Sequence, residues 1–242
     1  MVAAAAFLAG VINSIAGAGS LLTFPALLTV GLPPLQANVS NSIGLVPGSL
    51  SGAWGYRAEL RGHLGQAARL CIASGIGGLI GAALLLRLPT RVFELVVPAL
   101  VAGSSILVLV QGRIAARFSS RRKNSRAALA GVLVVGVYGG YFGAAQGIML
   151  LAVMGLSLDG PLVRLNGYKT LVAGVANGAS GVVFVFLAPV SWPHVLVLAV
   201  ASLFGGRLGA TLGVRVPEGA LRASIAIFGL LVAARLALNV RF

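Results

Sequence analysis

Acid is what this sequence has least of. Its 242 residues hold four carboxylates, Glu59, Glu94, Asp159 and Glu218, against 18 Lys or Arg, and hydropathy places all four in loops. A carboxylate proton relay or a charged cation site inside a membrane is therefore excluded. Cysteine is scarcer still: Cys71 alone permits no intrachain disulfide and no thiolate metal cluster. The two histidines, His63 and His194, have no acidic or Cys neighbour, so no metal is expected. No Ser/His/Asp set can be assembled, and no Gly-x-x-x-x-Gly-Lys-Ser/Thr loop is present. Enzyme chemistry, ATP drive and a cofactor are not expected.

What the chain has is apolar length. It is 58% hydrophobic and 9% charged, with mean hydropathy +1.01, too little polar material to cover a water-soluble globule. A span takes about 20 residues, so the length accommodates roughly eight membrane segments. Hydropathy puts these near 2–30, 38–56, 70–86, 95–112, 127–156, 168–187, 194–213 and 222–238. The net charge of +14 reads as cytoplasmic loop bias and contact with lipid headgroups rather than nucleic-acid binding.

Glycine interrupts two of these segments, at Gly17-Ala18-Gly19-Ser20 and at Gly143-Ala144-Ala145-Gln146-Gly147. Each Gly weakens a helix interior by about 1 kcal/mol against Ala. A broken backbone survives in lipid only where protein or a wet cavity satisfies it, although small residues also serve close helix packing. The two breaks belong to a repeat. At a constant offset of 128 residues, Gly77-Gly78 matches Gly205-Gly206, Gly81-Ala82 matches Gly209-Ala210, Leu84 matches Leu212, Arg87 matches Arg215 and Pro89 matches Pro217. The same offset pairs Gly19 with Gly147, Pro33 with Pro161 and Asn38 with Asn166. The chain is thus one polytopic membrane domain, 1–242, with repeat one over 1–112, a basic linker over 113–126 and repeat two over 127–242.

Loop charge bears on orientation. The linker residues Arg113, Arg117, Arg121, Arg122, Lys123 and Arg126 should be cytoplasmic, as should Arg57, Arg61 and Arg69. If 127–156 crosses the membrane once, the basic residues split between the two sides. If it folds back as a re-entrant hairpin, Arg164, Lys169, Arg207, Arg215 and Arg222 join the cytoplasmic set, leaving Arg87, Arg91, Arg235 and Arg241 outside. Fold-back fits better. It makes the expected fold an all-α membrane protein of two inverted four-segment repeats, each a Gly-broken re-entrant hairpin plus three transmembrane helices, with both termini outside.

In such a hairpin the second half-helix starts at the break, so its unpaired N–H groups and positive dipole end point into the membrane. Two converging ends form a cage for an anion. The candidate lining is Gly17, Gly19 and Ser20 from the first break and Gly143, Gln146 and Gly147 from the second. Lys169 adds a full positive charge within a predicted span, which makes it a functional candidate, and snorkelling to the interface is the competing reading. Asn166, Lys169 and Asn177 share a helical face. Asn38, Asn41, Ser42 and Ser49 form the matching stripe, with interhelical hydrogen bonding as the plainer role.

The stretch Gly17-Ala-Gly-Ser-Leu-Leu-Thr-Phe-Pro-Ala-Leu-Leu28, with Gly31-Leu32-Pro33 and Ala37-Asn38, resembles the first repeat of the sulfite exporter TauE/SafE family. Gly139-Gly140-Tyr141-Phe142-Gly143, Gly155-Leu156, Leu165-Asn166-Gly167-Tyr168-Lys169 and Asn177-Gly178 resemble its second. Ala144, Ala145 and Gln146 depart from that family's glycine-richer second motif. The resemblance implies export or uptake of sulfite, a small organosulfonate or a related organic anion across the cytoplasmic membrane. An anion channel and a non-transporting structural subunit are the alternatives. A coupling proton or sodium would need backbone carbonyls, Lys169 or the substrate itself to carry it, and a homodimer is compatible with the sequence.

Overall fold

The computed structural model describes residues 1–115, 124–212 and 218–239. Linker residues Arg117, Arg121, Arg122 and Lys123, the repeat matches at Arg215 and Pro217, and Arg241 lie outside them. The described residues form α1 (Val2–Ile15), α2 (Ser20–Thr29), α3 (Pro34–Gly44), α4 (Val46–Gly55), α5 (Arg57–Leu60), α6 (Leu64–Arg87), α7 (Thr90–Ala115), α8 (Ser125–Tyr141), α9 (Gln146–Ser157), α10 (Leu162–Leu187), α11 (Trp192–Leu212) and α12 (Glu218–Asn239). Among them four helices are long and apolar enough to cross a membrane: α6, α7 over Thr90–Val110, α10 and α11. Their outward faces carry large apolar side chains, with Phe186 80% and Phe204 63% exposed, a surface suited to lipid and not to water.

Both hydropathy breaks are real helix ends. The first pair of half-helices is too short to span: α1 and α2 have 14 and 10 residues, about 21 and 15 Å against about 30 Å of hydrocarbon. In the second pair, Asn124 begins α8 by accepting hydrogen bonds on its side chain from the amides of Arg126 and Ala127. Its own amide donates to Ser157 O, at the end of α9, at 3.0 Å. The start of α8 and the end of α9 therefore lie side by side.

Four expected segments differ. Segment 38–56 is two helices, α3 and α4, parted at Leu45. Pro47 has no N–H and its ring crowds the carbonyl four residues back, which breaks a helix there; repeat two has Val175 at the matching position and α10 runs on unbroken. Helices α6, α7 and α10 begin five or six residues before their apolar stretches, because amphipathic first turns at the membrane rim are polar. For the same reason Glu94 lies in α7 and Glu59 in α5, exposed and not in loops.

The repeat is visible in the packing. Helices α3, α6 and α7 begin at Pro34, Leu64 and Thr90, and α10, α11 and α12 at Leu162, Trp192 and Glu218, each 128 residues on. The halves embrace reciprocally: α1 packs on α11 as α8 packs on α6, and α4 packs on α11 as α10 packs on α6. Ser74 Oγ donates to Val172 O at 2.9 Å, and its counterpart Ser202 Oγ donates to Gly44 O at 3.2 Å. A Cβ at Gly78 would strike the Ala176 carbonyl, and one at the matching Gly206 would strike that of Gly48. Small residues let backbones approach this closely where lipid supplies no hydrophobic drive.

Running directions follow from these pairs. Along α6 and α10, His63 meets Arg164, Gln66 meets Tyr168 and Ser74 meets Val172, so the two run parallel. Across α4 and α10 the order reverses: Val46 lies by Gly178, Ser49 by Gly174, and Gly52 by Thr170, so these run antiparallel. Helices α1 and α11 run parallel, with Phe7 at Gly205 and Val11 at Gly209, as do α8 and α6, with Leu133 at Gly77 and Val137 at Gly81.

Candidate functional site

Helix α1 ends in a tight turn in which the amides of Ala16 and Gly17 both donate to Ile12 O, at 2.7 and 2.9 Å. Helix α8 ends identically, with Phe142 and Gly143 donating to Tyr138 O at 2.9 and 3.1 Å. Gly17 and Gly143 close these turns at φ +79° and +75°, where a Cβ is strained. They are equivalent positions 126 residues apart, so the 128-residue offset does not extend back to the breaks. Two extra residues in α9, which has 12 against 10 in α2, make up the difference. Ser20 corresponds to Gln146, each the first residue of its helix.

The two breaks touch. Gly147 N donates to Gly17 O at 3.1 Å, and a Cβ on either glycine would run into the backbone of the other. That bond uses the Gly147 amide, which the sequence reading had assigned to substrate. Phe24 of α2 packs edge-on against Phe142 at 5.3 Å between ring centroids. A small polar cavity adjoins this contact, lined by Asn13, Gly17, Ser20, Ser49, Gly143, Gln146, Gly147, Lys169, Thr170, Ala173 and Asn177. About 20 Å³ of it is open to the centre of a water-sized sphere, room for about one water.

Lys169 does not snorkel. It is fully buried, and its Nζ donates to Ser14 O at 3.0 Å and Ile15 O at 3.2 Å. These carbonyls belong to the last turn of α1, which has no intrahelical donors for them and carries the negative dipole end. Tyr56 OH also donates to Ser14 O, at 3.2 Å. An ammonium has three protons, and these carbonyls take two.

Gln146 is 2% exposed, and its Nε2 has no hydrogen-bond partner. Its carboxamide lies over Gly139, where a Cβ would displace it. A buried unpaired amide costs about 1–3 kcal/mol, so this donor waits for an acceptor. The loop holding it is pinned from behind: Ala144 O accepts from Tyr138 OH at 2.8 Å and from Ser104 Oγ at 3.1 Å.

Seven of the eleven sequence candidates line the cavity: Gly17, Ser20, Gly143, Gln146, Gly147, Lys169 and Asn177. Gly19 stands just behind, its amide donating to Asn13 Oδ1 at 2.7 Å. The other three are elsewhere. Asn38 donates to Tyr141 O at 2.9 Å, and Asn41 Oδ1 accepts from Thr23 Oγ1. Asn166 shares the face of Asn177 but lies about 16 Å along the helix from it, too far for one small cavity. Asn13 escaped the sequence reading, although a polar residue one turn before the break was the available signal. Thr170 and Ala173, neighbours of Lys169 on α10, were missed as well.

A model of the family described as sulfite exporter TauE/SafE matches residues 2–236. The chain belongs to that family. Among curated relatives, a probable membrane transporter protein of Sinorhizobium is 30% identical over 212 residues, covering 85% of this chain and 79% of its own. The probable membrane transporter protein YfcA of Escherichia coli K12 is 28% identical over 234 residues, covering 96% and 86%. One from Haemophilus influenzae is 26% identical over 234 residues, covering 95% and 91%. No solved structure matches the chain. As a TauE/SafE member it is a membrane protein of a transporter family, and the names of its relatives indicate transport and not enzyme activity.

Proposed function

We propose that the protein is a secondary transporter or facilitator that moves a small anion, such as sulfite, an organosulfonate or a related organic anion, across the cytoplasmic membrane through the cavity at the two breaks. The observation that carries this reading is the character of that cavity. Lys169 is the one ionisable side chain among the described residues lining it, and it is accompanied by the unpaired side-chain amide of Gln146. Donors without a carboxylate select an acceptor of negative charge. In this role Lys169 supplies attraction, Gln146, Asn177 and Ser20 supply hydrogen bonds, Gly17 and Gly147 let the two backbones meet, Gly19 lets α2 start against Ala9 of α1, and Gly143 closes the α8 turn. Asn38, Asn41 and Asn166 serve helix packing. Room for about one water favours a carrier that opens to each side in turn over an open channel.

The same reading takes the halves as inverted repeats with re-entrant hairpins. The antiparallel course of α4 and α10 supports inversion, since α3 and α4 together are the counterpart of α10. The Asn124–Ser157 bond supports a hairpin that returns to the face it entered. The linker end, with Arg57, Arg61, Arg69 and Arg164, is then cytoplasmic.

Sulfite flux into proteoliposomes tests the function. Lys169→Met should cut it about 30-fold or more, the scale for truncating one partner of a buried charged contact. Unchanged flux from correctly folded variant protein would refute the site.

A further inference from the structure

A second groove opens at the linker end of the fold, where the first turns of α6 and α8 meet the residue that follows α9. Leu70, Leu129 and Leu158 line it together with Gln66, Arg69 and Ser125, and it holds about 300 Å³. It is separate from the cavity at the breaks and shares no residue with it. Its composition is two-sided. The leucines offer an apolar slot, while Arg69 and Ser125, both exposed, put a cation and a hydroxyl at its rim. Gln66 accepts from Tyr168 OH through Oε1 at 3.1 Å, which leaves its amide nitrogen as a further donor. Charge around the rim is mainly positive: Arg126 follows Ser125, and Arg164 donates to His63 Nε2 beside the start of α6. Asp159, next to Leu158 and exposed, is the acid on this rim.

We propose that this groove binds an anionic phospholipid, the phosphate on Arg69, Ser125 and Gln66 and an acyl chain along Leu70, Leu129 and Leu158. A basic pocket between helices at the charged end of a membrane protein meets headgroups of the leaflet there. A purely polar anion would leave the leucine slot unused, and a zwitterionic lipid would bring its own cation against the mainly positive rim along with its phosphate. The site does not depend on the transport reading, since it needs only the membrane setting and the groove.

Native mass spectrometry of the full chain, exchanged from detergent with phosphatidylglycerol or with phosphatidylcholine of the same acyl chains, tests it. The wild type should retain phosphatidylglycerol in preference. Arg69→Gln should lower that retention about five-fold, the scale for one basic residue at a headgroup, while Arg91→Gln, an exposed arginine on α7 outside the groove, should not. Leu129→Trp, which fills the slot, should lower retention of both lipids. Equal retention of the two lipids by the wild type, equal retention of phosphatidylglycerol by wild type and Arg69→Gln, or equal losses at Arg69 and Arg91 would overturn the proposal.

Discussion

The two halves share a scaffold and differ at the centre. Matching serines reach matching carbonyls across the repeats, Ser74 to Val172 and Ser202 to Gly44, and the α1 and α8 turns close with the same bonds on Ile12 and Tyr138. At the site the correspondence ends. Where repeat two has Lys169, repeat one has Asn41, held by Thr23 and outside the cavity. Where repeat two starts its second half-helix with the unpaired Gln146, repeat one has Ser20. The Ala144 carbonyl is clamped by Tyr138 and Ser104, whereas Ile12 and Val232 stand at the positions that correspond to these two around the first break. Repetition thus builds the framework, and repeat two contributes Lys169 and the unpaired Gln146 to the cavity, beside Asn13, Ser20 and Ser49 of repeat one.

The largest effect that would break this comparison comes from the breaks themselves. Gly147→Ala places a Cβ in the Gly17 backbone, and overpacking costs about 1–3 kcal/mol. Thermal unfolding should show that loss together with abolished flux, and a fully stable, active Gly147→Ala would dissolve the claim that the breaks meet.

Moving the charge comes next. Lys169→Asn should lose sulfite flux, and adding Asn41→Lys should not restore it, because position 41 faces Thr23 and not the cavity. Recovery in the double variant would mean that the halves are interchangeable. Gln146→Ala should weaken sulfite affinity about ten-fold to a hundred-fold, as loss of one hydrogen bond to a charged group predicts, while Asn166→Ala leaves it unchanged in the same titration.

The smallest effects test the frame. Tyr138→Phe and Ser104→Ala should each cost about 0.5–1.5 kcal/mol, one hydroxyl bond to Ala144 O. Ser74→Ala and Ser202→Ala should cost nearly equal amounts, about 0.6 kcal/mol. Urea or thermal denaturation resolves these, and a large inequality between the two serines would deny the reciprocal packing.

Much of this architecture was legible in the sequence, because apolar runs and paired glycines record membrane spans and breaks directly. Pro47 was equally legible as a helix breaker, yet the apolar stretch around it masked the division of α3 from α4. The offset of 126 at the breaks was hidden because glycine and alanine are common there, so Gly19 and Gly147 align by composition while the turn hydrogen bonds pair Gly17 with Gly143. Helical periodicity put Asn166 on the correct face but carries no information about depth along the axis. The fate of Lys169 was undetermined for a different reason: its choice between interface and interior depends on the α1 carbonyls, 155 residues away in sequence.

The central claim is that Lys169, between the two breaks, attracts an anion. Isothermal titration of sulfite and methanesulfonate into detergent-solubilised protein tests it most directly. Saturable binding to wild type and to Asn166→Ala, with affinity reduced about 30-fold or more in Lys169→Met, is the predicted result. Equal affinity in wild type and Lys169→Met would contradict the account.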